Sequence, residues 1–366
     1  MNDFSPDYLT HPTFAPLPPG LTTNRARPEE ECRRAHNLYY QGSYTEAAAI
    51  YGKLAALGYA EAQFWLAWCY AKGYGIDENQ KLATDWYRKA AEQGYVTAQY
   101  NLGWHYCNGC GVEKDEAQGI LWYRKAADQG YVTAQYNLGW HYCNGSGVEK
   151  DETQGLLWYR KAAEQGDASA QFNLGWHYCN GCGVEKDAIQ GVLWYQKAAE
   201  QGDASAQANL GWCYDNGCGV EKDPAMAADW YRKAAEQGHT TAQFNLGWDY
   251  DNGCGVEKDP AMAVQWYQKA ADQGHAQAQF NLGWDYNNGC GIEKDPAMAV
   301  YWYRKAAEQG HASAQHNLGW CYDNGYGIEK DPALAVFWYY KAADQGNERA
   351  LRALREALYQ RFPPED

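Results

Sequence analysis

The chain has 366 residues, a formal net charge of −15 (31 Lys and Arg against 46 Asp and Glu), 46% hydrophobic residues and 15% aromatic ones. A mean hydropathy of −0.72 and the lack of a long apolar run exclude a membrane-spanning helix, and 17 tryptophans with 31 tyrosines argue against a disordered chain. The acidic balance disfavours nucleic-acid phosphates and anionic lipid as partners and suits a basic protein surface.

The chain opens with MNDFSPDYLTHPTF, which has neither a basic nor an apolar leader region, so no secretory signal is expected. Residues 1–28 hold Pro6, Pro12, Pro16, Pro18, Pro19 and Pro28 and read as an extended tail. Residues 29–61 contain Ala35, Leu38, Gly42, Tyr44, Ala47 and Tyr51, the pattern of one helix pair joined by a short turn.

From there the sequence repeats. Ala-Gln recurs at Ala62, Ala98, Ala134, Ala170, Ala206, Ala242, Ala278 and Ala314, always 36 residues apart, which defines eight units over residues 62–345. In the fifth unit Ala206, Leu210 and Tyr214 share one face of a first helix, and Ala227, Trp230 and Ala234 form the stripe of a second. Gly217 and Gly219 end the first helix, Asp223-Pro224 starts the second as cap and first residue, and Gln237-Gly238 closes it. Asp259-Pro260, Asp295-Pro296 and Asp331-Pro332 repeat that start, and Asp115, Asp151 and Asp187 keep the cap without proline. So short a helix pair cannot bury its apolar face alone, so neighbouring pairs must stack into an all-α solenoid. Residues 346–366 read as a single amphipathic capping helix and tail.

The pattern A-x-x-x-L-G-x-x-Y-x-x-G-x-G-[VI]-x-x-D…A-x-x-W-Y-x-K-A-A-x-x-G, carried by about four-fifths of the chain, resembles the Sel-one-like repeat (SLR), a relative of the tetratricopeptide repeat. The resemblance implies a right-handed α/α solenoid (superhelix) of 36-residue helix-turn-helix repeats. It also implies a non-enzymatic interaction scaffold whose first helices line a concave wall with the third, fourth, seventh, tenth and eleventh residues of each unit.

The fourth position is Asn101, Asn137, Asn173, Asn209, Asn245, Asn281 and Asn317. It directly precedes Leu-Gly, as in tetratricopeptide superhelices where an asparagine ladder grips an extended peptide; the alternative is that these amides bond a neighbouring helix. The seventh is Trp104, Trp140, Trp176, Trp212, Trp248, Trp284 and Trp320, preceded by Trp68 in the first unit. With Phe64, Tyr100, Tyr136, Phe172, Phe244 and Phe280 at the third position, these indoles form either an aromatic binding floor or wedges between repeats. The tenth position changes from Cys107, Cys143 and Cys179 to Asp215, Asp251, Asn287 and Asp323, and the eighth from His105, His141 and His177 to Cys213, Asp249, Asp285 and Cys321. An acidic C-terminal half of the groove is expected, selecting lysine or arginine, or else a solvated acidic face.

No second helix carries a cysteine, and the equivalent Cys182, Cys218, Cys254 and Cys290 are expected ~10 Å apart, beyond disulfide reach, so the chain reads as reduced and cytoplasmic. His105-x-Cys107-x-x-Cys110 and His177-x-Cys179-x-x-Cys182 look metal-like, but duplication alone makes such strings and Ser146 breaks the third, so no metal or cofactor is expected. Walker, dinucleotide, nucleophile-elbow and HExxH motifs are absent, and no catalytic residue is assigned. The expected function is an adaptor holding a protein or extended peptide; an immunity protein that neutralises a toxin by tight binding is the alternative, and a glycan-binding protein a third class.

Overall fold

The structure, a computed structural model, describes residues 28–361. The tail expected at 1–28 lies outside them except for Pro28, and so does the end of the expected C-terminal segment. The described residues form nineteen helices and no strand, in two compact units. The first, residues 28–105 with 109–113, holds α1 (Pro28–Tyr40), α2 (Tyr44–Ala56), α3 (Ala60–Lys72), α4 (Gln80–Glu92) and most of α5 (Val96–Asn108). The second, residues 106–108 with 114–361, holds α6 (Glu116–Asp128), α7 (Val132–Asn144), α8 (Glu152–Glu164), α9 (Ala168–Asn180), α10 (Ala188–Glu200), α11 (Ala204–Asn216), α12 (Pro224–Glu236), α13 (Thr240–Asn252), α14 (Pro260–Asp272), α15 (Ala276–Asn288), α16 (Pro296–Glu308), α17 (Ala312–Asn324), α18 (Pro332–Asp344) and α19 (Glu348–Arg361).

Capping chemistry sets the helix ends. Oδ1 of Asp115, Asp151, Asp187, Asp223, Asp259, Asp295 and Asp331 accepts a backbone N–H three residues on, at 2.9–3.1 Å, which satisfies a donor the helix cannot. First helices use Asp167 and Asp203 in the same way, and then His239, His275 and His311, whose Nδ1 accepts from Ala242, Ala278 and Ala314 at 3.2 Å. Gly217 ends α11 at φ 67°. Two residues later Gly219 meets the previous repeat so closely that a Cβ would stand 2.2 Å from the Ala188 carbonyl oxygen, which no side chain could accommodate.

The core lies between repeats. Tyr267, Ala270 and Ala271 of α14 cluster with Ala278 and Leu282 of α15, and the same arrangement joins α12 to α13. Within a repeat, a Cβ on Gly247 of α13 would sit 2.7 Å from the Tyr267 ring of α14, so the Leu-Gly pair permits close helix approach. The Gln of each Ala-Gln signature ties these layers together. Gln243 is buried; its Nε2 donates to the Ala235 carbonyl at 3.1 Å, and its Oε1 accepts from Gln273 Nε2 at 2.8 Å. The same ladder runs through Gln171 with Gln201, Gln207 with Gln237, Gln279 with Gln309 and Gln315 with Gln345. Second-helix tryptophans lie under the lysine three residues on, with Nζ 3.8 Å from the ring centres of Trp230 and Trp266.

Candidate functional site

Each first helix turns three faces to different surroundings. Ala242, Leu246 and Asp249 (positions 1, 5 and 8) follow the i, i+4, i+7 stripe and are buried. The residue just before the eighth points about 100° away and meets solvent. Trp104, Trp140, Trp176, Trp212, Trp248, Trp284 and Trp320 are 39–50% exposed, one per repeat. Trp68, in the first repeat, is 7% exposed and donates its indole N–H to the Tyr39 hydroxyl at 2.9 Å. The eleventh-position asparagines support the row from below: Asn144, Asn180, Asn216, Asn252, Asn288 and Asn324 donate to the carbonyl of the Trp four residues earlier at 2.8–2.9 Å.

The fourth-position asparagines are half-buried. Asn101 and Asn173 donate to Thr97 and Ser169 carbonyls at 2.8 Å, within their own helices. Asn209, Asn245 and Asn317 lie beside the hydroxyls of Tyr195, Tyr231 and Tyr303 on the preceding second helix. Asn281 accepts from Gln277 at 3.0 Å, and Asn137 stands at the same register. Third-position rings serve the core more than a floor: Phe64 and Tyr100 are buried, while Phe172, Phe244 and Phe280 pack on Tyr195, Tyr267 and Tyr303.

Between Trp284 and Trp320 the surface dips. A recess of about 300 Å³ is lined by Trp284, Asn287, Tyr303, His316, Asn317 and Trp320, so residues of the fourth, seventh and tenth positions of adjoining repeats share one wall. A larger cleft of about 940 Å³, lined by Val184–Ile189, Gly217 and Gly219–Glu221 with Tyr178, lies along the inter-helix turns and contains none of the seventh-position indoles.

The eighth position does not contribute to the acidic surface expected from the sequence. Asp249 and Asp285 are only 3% and 4% exposed, because they continue the Ala-Leu core stripe. Burial, and then the charge of Asp215 and Asp251 respectively, pushes their carboxyls up to about 7. The tenth-position Asp215, Asp251 and Asp323 are half-buried and lie near the Tyr231, Tyr267 and Tyr339 hydroxyls of their own repeats. In the cysteine-bearing repeats, the Cys179 thiol of one repeat lies beside the Cys213 thiol of the next. This contact joins the tenth position to the next unit's eighth, a pairing missed when only equivalent cysteines were compared.

The histidine strings are occupied by structural bonds. His105 Nδ1 lies 2.9 Å from the Cys110 carbonyl and 2.8 Å from the Thr84 hydroxyl, and burial lowers its pKa to about 4. His141 and His177 turn the same nitrogen to the Ser146 and Cys182 carbonyls at 2.9 and 2.8 Å. All twelve cysteines are free. No described helix is long and apolar enough to cross a membrane.

Comparison with known proteins accords with this anatomy. The family model of the Sel1 repeat matches eight successive segments, residues 60–95, 96–131, 132–167, 168–203, 204–239, 240–275, 276–311 and 312–347. Among solved structures, the chain is similar to c5321, a protective antigen present in uropathogenic Escherichia coli strains and displaying an SLR fold. The identity is 41% and the TM-score 0.82, over 87% of this chain and 68% of that one. It is also similar to a Sel1 repeat protein from Oxalobacter formigenes, with 32% identity and a TM-score of 0.67 over 93% of this chain and 98% of that one. None of the curated proteins matches the chain.

Proposed function

The chain belongs to the Sel1 repeat family, and from that premise we propose that it is a non-enzymatic scaffold that grips a protein or extended peptide along its seventh-position tryptophans. Sel1 repeat proteins are generally protein-interaction scaffolds. The observation that carries the finer reading is the uniform exposure of seven large indoles at one register, a costly arrangement for side chains that serve only packing. Indoles are rigid and amphipathic, and they dominate contact energetics when a partner dehydrates them. The fourth-position carboxamides bond the solenoid, but each still carries a second hydrogen or an oxygen that a peptide backbone can meet. The half-buried Asp215, Asp251 and Asp323 would favour basic groups on that partner.

The double variant Trp248→Ala/Trp284→Ala tests the reading. Immobilised wild type and variant are compared for partner retention from native lysate, with far-UV circular dichroism on both. Loss of a wild-type partner at unchanged helicity is expected. Full retention by the variant, or collapse of its helical signal, would remove the tryptophan row as the binding surface.

A further inference from the structure

A set of metal-ligating side chains converges among the described residues, away from the sequence's metal-like strings, where the N-terminal helix pair meets the first repeat. Cys32 and His36 stand at i and i+4 on one face of α1, and Glu61 comes from the first turn of α3. One ligand atom from each lies within 4.8 Å of the others, and His36 Nε2 is 3.9 Å from Glu61 Oε1. Tetrahedral zinc, with bonds of ~2.0–2.3 Å, sets one sulfur, one nitrogen and one oxygen ligand ~3.3–3.6 Å apart, so closing by at most ~1.5 Å brings the three to bonding distance.

A second feature points to a ligand here. Tyr51 of α2 is fully buried, its hydroxyl has no hydrogen-bond partner among the described residues, and its ring centre lies 5.6 Å from that of His36. An orphaned hydroxyl at such depth is costly. Trp65 stacks on Tyr51 with ring centres 5.8 Å apart and meets His36 edge-on at 4.8 Å, which fixes the imidazole plane. Cys32 is buried, whereas Glu61 keeps a solvent-facing side that gives a cation an entry path.

We propose that Cys32, His36 and Glu61 form a three-ligand site for a zinc-like divalent cation, with a water at the fourth position facing the Tyr51 hydroxyl. Sulfur and imidazole ligands favour zinc over magnesium or calcium. The bound ion joins α1 to α3 and so fastens the N-terminal helix pair to the first repeat. A cysteine thiol ligates a metal only as the thiolate, so binding of the cation releases a proton. That proton goes to solvent as the metal–ligand bond forms, and affinity therefore rises with pH.

The test uses the full chain, reduced and stripped with chelator, titrated with Co2+ alone and then with Zn2+. One equivalent of cobalt should give a thiolate charge-transfer band and tetrahedral d–d absorption, both removed by zinc. Cys32→Ser should lose the charge-transfer band, while Cys182→Ser keeps it. His36→Gln and Glu61→Gln, checked for native circular dichroism, should each weaken cobalt binding by more than about tenfold. Absence of the band in the wild type, its survival in Cys32→Ser, or undiminished affinity in either of the other variants would overturn the site.

Discussion

Replacing Asp249 and Asp285 together by asparagine keeps their shape and removes their charge, and the consequence can be worked through with pH. In the folded chain both carboxyls titrate at about 7, whereas an unfolded aspartate does so near ~3.9. Between those values the folded state holds two protons that the unfolded state releases. Their contribution to stability is complete below the unfolded value and is lost as pH rises through about 7. For each site the loss between pH 5 and pH 8 is about 2.5 kcal/mol. Buried histidines act in the opposite sense. His105, lowered to about 4, stays neutral in the folded chain where an unfolded imidazole takes a proton, so its contribution is present above ~6.5 and lost as pH falls through about 4. The wild-type profile mixes the two effects, but the difference between wild type and the double variant contains only the aspartates.

Urea unfolding followed by far-UV circular dichroism at pH 5, 6, 7 and 8 gives that difference. Amide exchange in α13 and α15 localises it, since a long array need not unfold in one step. The variant should gain on the wild type steadily with pH, by several kcal/mol over the range. Parallel curves would refute the reasoning, because they would mean that Asp249 and Asp285 ionise normally despite their burial.

Two substitutions probe the repeat interface. Gln243→Leu removes two hydrogen bonds, one to the Ala235 carbonyl and one from the Gln273 amide, each group keeping a second partner in Gly238, and should cost about 1–3 kcal/mol in urea unfolding; a neutral result would make the glutamine ladder incidental. Gly191→Ala places a Cβ 2.3 Å from Cys179 Sγ and should destabilise by about 1–3 kcal/mol, part of which Cys179→Ala restores; purely additive effects in the double-mutant cycle would deny the contact.

Helix limits were readable because they rest on local chemistry: an aspartate that accepts N–H groups, a proline that fits the first turn, a glycine that takes positive φ. Residue type misled at the eighth position. Asp249 looked like groove charge because aspartate is seldom buried, although counting from Ala242 and Leu246 already puts it on the core stripe. His239, His275 and His311 gave no sign of capping, since histidine is not a usual N-cap and only the folded turn brings Nδ1 to the backbone. Cys179 with Cys213, and Cys32 with Glu61, depend on how helices are offset in space, and sequence spacing does not carry that offset.

The layer beneath the tryptophans has changed along the chain while the tryptophans have not. At the tenth-to-eighth contact a thiol pair, Cys179 with Cys213, gives way to carboxyl pairs, Asp215 with Asp249 and Asp251 with Asp285. The second helix answers in step. Gly155 and Gly191 make room for Cys143 and Cys179, whereas alanine stands at Ala227, Ala263, Ala299 and Ala335, where the tenth residue is aspartate or asparagine. The repeats have therefore diverged far enough to exchange buried partners and retune helix spacing. A wedge between units would be expected to change with the packing around it. An indole that keeps its place and its exposure while its support is rebuilt is what the proposed binding role calls for, which is why the tryptophan row, and not the acidic layer below it, is where a partner should be sought.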